Sequence, residues 1–260
     1  MVRNRYYFII PTLWIFLWYL SILVLDSEAI DFLAKEDHVA EWMSFFALLG
    51  TSLVFLTTFF RMRNHTPPNP PIAQLSLIVL AFMFFVAAGE EISWGQRIIG
   101  FETPEGLREL NEQGEFNFHN LPFLDQRNKL LIDHYDLINI VWFVLVIAIP
   151  LTASSSQRMY ERVSRIVVIA PYSLGILFIL NYVLGKIYKF ILPKTITINY
   201  RIANINEIRE MLFAVLFLTV AIHIYFNLVR PKKGDAIPHS TQNKQAQKPG
   251  TEQPLGSSGS

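Results

Sequence analysis

Long, nearly charge-free apolar runs constrain this chain more than any other feature. Tyr6 to Leu25, Ala40 to Phe60, Ile72 to about Glu91, about Leu131 to Leu151, Ile166 to Leu184, and Met211 to Val229 each approach or exceed the length of a bilayer span. Crossing about 30 Å of hydrocarbon takes roughly 17–25 mainly apolar residues in a helix. Lipid offers no partner to backbone N–H and C=O groups, so a run of this kind must satisfy them internally as a helix. The expected fold is therefore all-α: a polytopic bundle of about six transmembrane helices. Composition agrees, with 52% hydrophobic and 17% charged residues among 260, against about a quarter charged in an ordinary soluble domain. The fourth run is the least regular, because Asp133, His134 and Asp136 stand in its first turn. Arg3 and Arg5 precede the first run, which continues into Asp26, Ser27 and Glu28 without a small-residue cleavage pattern, so it reads as an uncleaved anchor.

Arginine and lysine set the orientation. Arg3 and Arg5, Arg61 and Arg63, Arg158, Arg162 and Arg165, and Arg230, Lys232 and Lys233 fall on one side, which is expected to be cytoplasmic together with both termini. The other side is balanced or acidic, although Lys186, Lys189, Lys194 and Arg201 depart from the pattern. The expected location is a cell inner membrane. Residues 1–230 form a single membrane domain in this reading. Residues 231–260 lose their apolar content and are expected to be a disordered cytoplasmic tail, whose last five residues resemble an appended linker. A net charge of +1, with no Lys/Arg block interleaved with aromatics, argues against nucleic acid as a partner. The absence of cysteine excludes disulfides and thiolate metal sites.

The ionisable residues gather at the extracytoplasmic ends of the spans. Glu41 opens the second, Glu90 and Glu91 close the third, Asp133, His134 and Asp136 open the fourth, and Glu207, Arg209 and Glu210 open the sixth. The densest block is Gly89-Glu90-Glu91-Ile92-Ser93-Trp94-Gly95-Gln96-Arg97. Were the third helix to continue through it, Glu90, Ser93 and Arg97 would share a face. One carboxylate would then pair with Arg97, leaving the other to bind metal or move a proton. Glu90, Glu91 and Arg97 are thus the candidate catalytic residues. A long loop, Gly100 to Asn128, follows. Thr103-Pro104-Glu105 reads as the start of a short amphipathic helix running to Glu112 and stopping at Gly114. The aromatic segment after it contains His119. Glu41, His119 and His134 are the candidate metal ligands. Zinc or another divalent cation would be the cofactor, since carboxylate and imidazole sets suit it. A structural ion pair at the end of the third span is the competing reading of the Glu-Glu-Arg block.

Glu36-Asp37-His38-Val39-Ala40-Glu41, and Gly89 to Arg97 followed by Glu115-Phe-Asn-Phe-His119-Asn120, together resemble a family of uncharacterised bacterial polytopic membrane proteins, and that resemblance implies no activity. The placement of Glu36, Asp37 and Glu41 is similar to that in alkaline-ceramidase-like transmembrane hydrolases, which implies a histidine-held zinc. In this chain the sixth span offers only His223. Glu90, Glu91 and Arg97 resemble the Glu-Glu and Arg of prenyl-protein-processing intramembrane proteases. Two functions are expected on these grounds: a metal-assisted hydrolase or transferase acting on a lipid or lipid-linked substrate, or a non-enzymatic scaffold or lipid-binding subunit of an envelope complex. The partners would be membrane lipids and other envelope membrane proteins.

Overall fold

A computed structural model describes residues 2–34, 38–63, 71–111, 114–117, 134–191 and 196–229. Every regular element among them is helical. The chain opens with α1 (Val2–Val24), short α2 (Ser27–Ala34), α3 (Val39–Arg63) and α4 (Pro71–Glu91). Pro71 occupies the first position of α4, where its missing N–H costs nothing and its fixed φ suits the helix. A 3-10 turn at Ser93–Gly95 leads to two single-turn helices, α5 (Gln96–Ile99) and α6 (Glu105–Arg108). Next come α7 (His134–Phe143), a π-turn at Val144–Ala148, α8 (Ile149–Ser154), α9 (Gln157–Ser164), α10 (Tyr172–Ile191) and α11 (Ile196–Val229).

Among the described residues, four helical segments are long and apolar enough to cross a bilayer: Tyr6–Val24, a segment within Glu28–Arg63, Pro71–Glu91 and Ile205–Leu228. Among the described residues the protein is therefore all-helical, with the helices of a membrane protein. The other two expected spans correspond to shorter apolar helices, Asn139–Ser154 and Tyr172–Tyr188. The fifth run shortens because Ile166 to Pro171 lies in turn and irregular backbone, and the helix begins only after Pro171. Residues 131–133, at the start of the fourth expected span, lie outside the described residues, as does the whole of 231–260. The sixth span needs a correction. Its helix begins well before Met211, so Glu207, Arg209 and Glu210 sit within the helix and inside the apolar stretch. The three charges look like a boundary in the sequence, but the bundle accommodates them.

α3, α4 and α11 form the centre of the bundle. Phe55 of α3 stacks on Phe84 of α4 at 5.9 Å between ring centroids, and Phe84 meets Phe217 of α11 at 4.9 Å. Gly50 lets α11 approach, since a β-carbon there would stand 3.3 Å from Leu218 Cδ1. Hydroxyls inside the spans find main-chain acceptors: Thr51 donates to the Ala47 carbonyl at 2.8 Å, and Ser52 crosses to the Ala81 carbonyl of α4 at 2.7 Å. A second stack, Trp142 against Phe178 and Phe213, joins α7 and α10 to α11. Outward faces keep Leu13, Leu17 and Leu20 of α1 and Leu75, Val79 and Phe82 of α4 more than half exposed. Such a surface suits lipid as solvent.

α3 runs away from Glu41, α4 runs toward Glu91, and α11 runs away from Glu207. The three acidic positions therefore share one end of the bundle. α10 reaches the same end with Asn181 and Gly185, while its start at Tyr172 lies at the opposite end with the last turn of α3.

Candidate functional site

The acidic end is built from three separate helices. Glu41 lies in the first turn of α3, Glu90 and Glu91 in the last turn of α4, and Glu207 in α11. The Glu91 carboxyl has Glu207, Glu41 and Glu90 within electrostatic reach, and the Ser44 hydroxyl donates to it. Ser44 follows Glu41 by three positions, so both face α4 from one side of α3, and Ser44 is fully buried. Carboxylates are expensive in an apolar bundle and repel one another at close range. The fold nevertheless gathers them from elements far apart in sequence.

α11 separates this acidic centre from a second polar centre. Glu207 and Arg209 are two positions apart, about 200° around the helix. The carboxylate consequently turns toward α4, while Arg209 lies against α1 and α10. Arg209 is only 4% exposed. Its backbone carbonyl accepts a 3.0 Å hydrogen bond from Asn181 Nδ2, and Asn181 in turn accepts from the Tyr19 hydroxyl at its backbone oxygen (2.9 Å) and at Oδ1 (3.0 Å). Gly185 leaves room for both partners, because a β-carbon there would stand 2.9 Å from Arg209 Cδ and 3.1 Å from the Tyr19 oxygen.

Beyond Glu91 the helix stops at a strained turn. Ser93 (φ 46°) and Trp94 (φ 55°) both take left-handed backbone, followed by Gly95 at φ 77°. Non-glycine residues adopt this region at a cost, so surrounding contacts must hold them there. The Trp94 indole folds back over Gly89, where a β-carbon would meet ring atoms at 2.9–3.0 Å. Its Nε1 donates to Glu90 Oε1 at 2.6 Å. Ser93 donates to Glu115 Oε2 at 2.6 Å, and Asn117 Nδ2 donates to both Ser93 Oγ and Glu115. Asn111 Nδ2 binds Asn117 through its backbone oxygen and its Oδ1. Gln96 donates to the Thr103 hydroxyl and accepts from the Phe116 backbone N–H. Residues 114–117 are thereby tied to the end of α4, directly beside Glu90 and Glu91.

Of the expected site residues, Glu41, Glu90 and Glu91 come together. Arg97 needs a correction: the helix does not continue through it, so a seven-residue spacing no longer places it on the face of Glu90. It belongs to α5, beyond the strained turn, and its side chain lies outside the described ones. The short loop helix also differs from expectation. It spans only Glu105–Arg108, and Thr103 provides no cap because its hydroxyl accepts from Gln96. His119 lies outside the described residues. His134 is the first residue of α7, with its side chain likewise outside them. Among the described residues no three His, Asp or Glu side chains are placed to hold a metal ion.

Sequence reasoning did not select Ser44, Glu207, Tyr19 or Asn181 as site residues. The spacing of Ser44 from Glu41 was a usable signal. The Tyr19–Asn181 pair, 162 positions apart, left none. No protein-family model matches the chain, and no curated protein or solved structure matches it either.

Proposed function

We propose that this chain is a six-span inner-membrane protein with both termini in the cytoplasm, and that its acidic centre is the acid–base site of a hydrolase or transferase acting on a lipid or lipid-linked substrate from the extracytoplasmic side. One observation carries the reading: Glu41, Glu91 and Glu207 converge from three helices of an apolar bundle, with Glu90 beside them. Carboxylates brought from separate elements to one place can share protons and pass one to a substrate. Glu91, touched by Ser44 and flanked by the other acids, is the general acid–base group in this mechanism. Glu41 and Glu207 tune it and hold water. A metal-assisted form would need His119 or His134 as ligands, because the described carboxylates do not by themselves form a cation site.

The experiment compares total lipid extracts of membranes containing the overproduced wild type or Glu91→Gln. The reading expects at least one lipid species to be consumed or formed by the wild type alone. Identical lipid profiles, with both proteins folded, would refute it. Orientation is tested separately with reporters. One placed after Arg230 or between Ser154 and Arg158 is expected to read cytoplasmic, and one near Glu112 extracytoplasmic; the reverse pattern refutes the topology.

The scaffold reading is favoured by a different observation, the knot of Ser93, Gln96, Thr103, Asn111, Glu115 and Asn117. Its polar groups are spent on one another, as in a rigid cap presented to a partner in the envelope.

A further inference from the structure

We propose that α9 lies in the membrane interface at the end of the bundle opposite the acidic centre and binds the phosphate headgroups of anionic lipids through Arg158, Arg162 and Arg165. The helix is sharply capped: Ser156 takes extended backbone and its hydroxyl accepts from the Met159 N–H. At about 100° per residue, Arg158, Arg162 and Arg165 fall within an arc of about 60°. Met159 and Val163 form an apolar face about a right angle away, and Ile166 follows in the turn just past the helix. An interfacial helix arranges its side chains this way, with apolar residues at the acyl boundary and cations beside them reaching up to the headgroups.

The three arginines are exposed, and none has a hydrogen-bond or ion-pair partner among the described residues. Glu161, the single acid of the helix, accepts instead from Gln157 Nε2 at 3.1 Å. The apolar side is also incompletely covered: Met159 and Val163 are half-buried, and Ile166 is 56% exposed. Three unclaimed guanidinium groups next to an incompletely covered apolar face fit a ligand that carries both a phosphate and acyl chains. A soluble anion would fit only the first. Guanidinium also suits phosphate by its planar, forked donors. Each cation near an anionic lipid surface is worth about fivefold in binding, so three supply a factor on the order of a hundred before screening.

The inference does not rest on the acid–base reading, and its test uses the full-length chain in an uncharged detergent. The protein is equilibrated with equal amounts of phosphatidylglycerol and phosphatidylcholine of the same acyl chains, and native mass spectrometry reads the bound ratio. The wild type is expected to retain phosphatidylglycerol over phosphatidylcholine by about tenfold or more. A variant carrying Arg158→Gln, Arg162→Gln and Arg165→Gln is expected to fall near parity, while the matching triple lysine variant keeps most of the preference. Parity in the wild type overturns the proposal, and so does an undiminished preference in the glutamine variant. Displacement of the lipid by millimolar inorganic phosphate overturns it too, since that marks a site for a soluble anion.

Discussion

Gly89→Ala tests the geometry around the acidic centre most directly. The added β-carbon would stand 2.9–3.0 Å from the Trp94 ring, whereas carbon atoms in good contact are about 3.5–4.0 Å apart. The indole must therefore withdraw by about half an ångström or more. Its hydrogen bond to Glu90 starts at 2.6 Å, and a retreat of that size takes it to the outer limit of useful length. Overpacking costs about 1–3 kcal/mol, and weakening the hydrogen bond to the Glu90 carboxyl adds part of about 0.5–1.5 kcal/mol. Replacing glycine by alanine in a helix returns up to about 1 kcal/mol. The expected net destabilisation is about 1–2 kcal/mol. Thermal unfolding of the detergent-solubilised protein should register a fall of several degrees, at about 2–4 °C per kcal/mol for a chain of this size. The decisive comparison is in a Trp94→Ala background, where the obstacle is gone and the same glycine substitution should become neutral or stabilising. Equal effects of Gly89→Ala in both backgrounds would refute the packing of Trp94 on Gly89, and with it the account of why the turn is held.

Tyr19→Phe removes the hydroxyl that serves both acceptors of Asn181, and should destabilise by about 1–3 kcal/mol. A wild-type melting temperature would show that the bond contributes nothing. Ser93→Ala deprives the Glu115 carboxylate of its short hydrogen bond and should speed proteolytic cleavage near Gly114, read as the rate of fragment appearance; an unchanged rate would show that the knot does not hold the loop. Elemental analysis of protein purified without chelator should find near-stoichiometric divalent metal if the metal-assisted form holds, lowered by His119→Ala or His134→Ala. Metal-free wild type that ignores a strong chelator would sink the metal-assisted form and favour the scaffold reading.

What the sequence made legible followed from the bilayer. An apolar run of twenty residues has one structural solution in lipid, so α1, α3 and α4 could be placed from composition alone. Convergence of Glu41 with Glu90 and Glu91 followed from antiparallel neighbours of matched length. The start of α11 was not legible, because Glu207, Arg209 and Glu210 look like solvent-facing residues until Gly185, Tyr19 and Asn181 are found around Arg209. The strained turn was hidden for the opposite reason. Ser93 and Trp94 have no intrinsic preference for left-handed backbone, and they adopt it because Gly89, Glu90, Glu115 and Asn117 reward it. Extrapolating α4 in a straight line through Arg97 left out those tertiary contacts.

The division of labour along α11 has a consequence for how the protein is made. Helices α3 and α4 are near neighbours in the chain and can enter the membrane as a hairpin, bringing Glu41 and Glu91 together early. Glu207 and Arg209 emerge from the ribosome more than a hundred residues after Glu91, which at about 5–20 residues per second is a wait on the order of ten seconds. During that interval the hairpin carries acidic side chains in an apolar setting without the helix that completes their surroundings. The acidic centre therefore gains the wall that α11 supplies only late in synthesis.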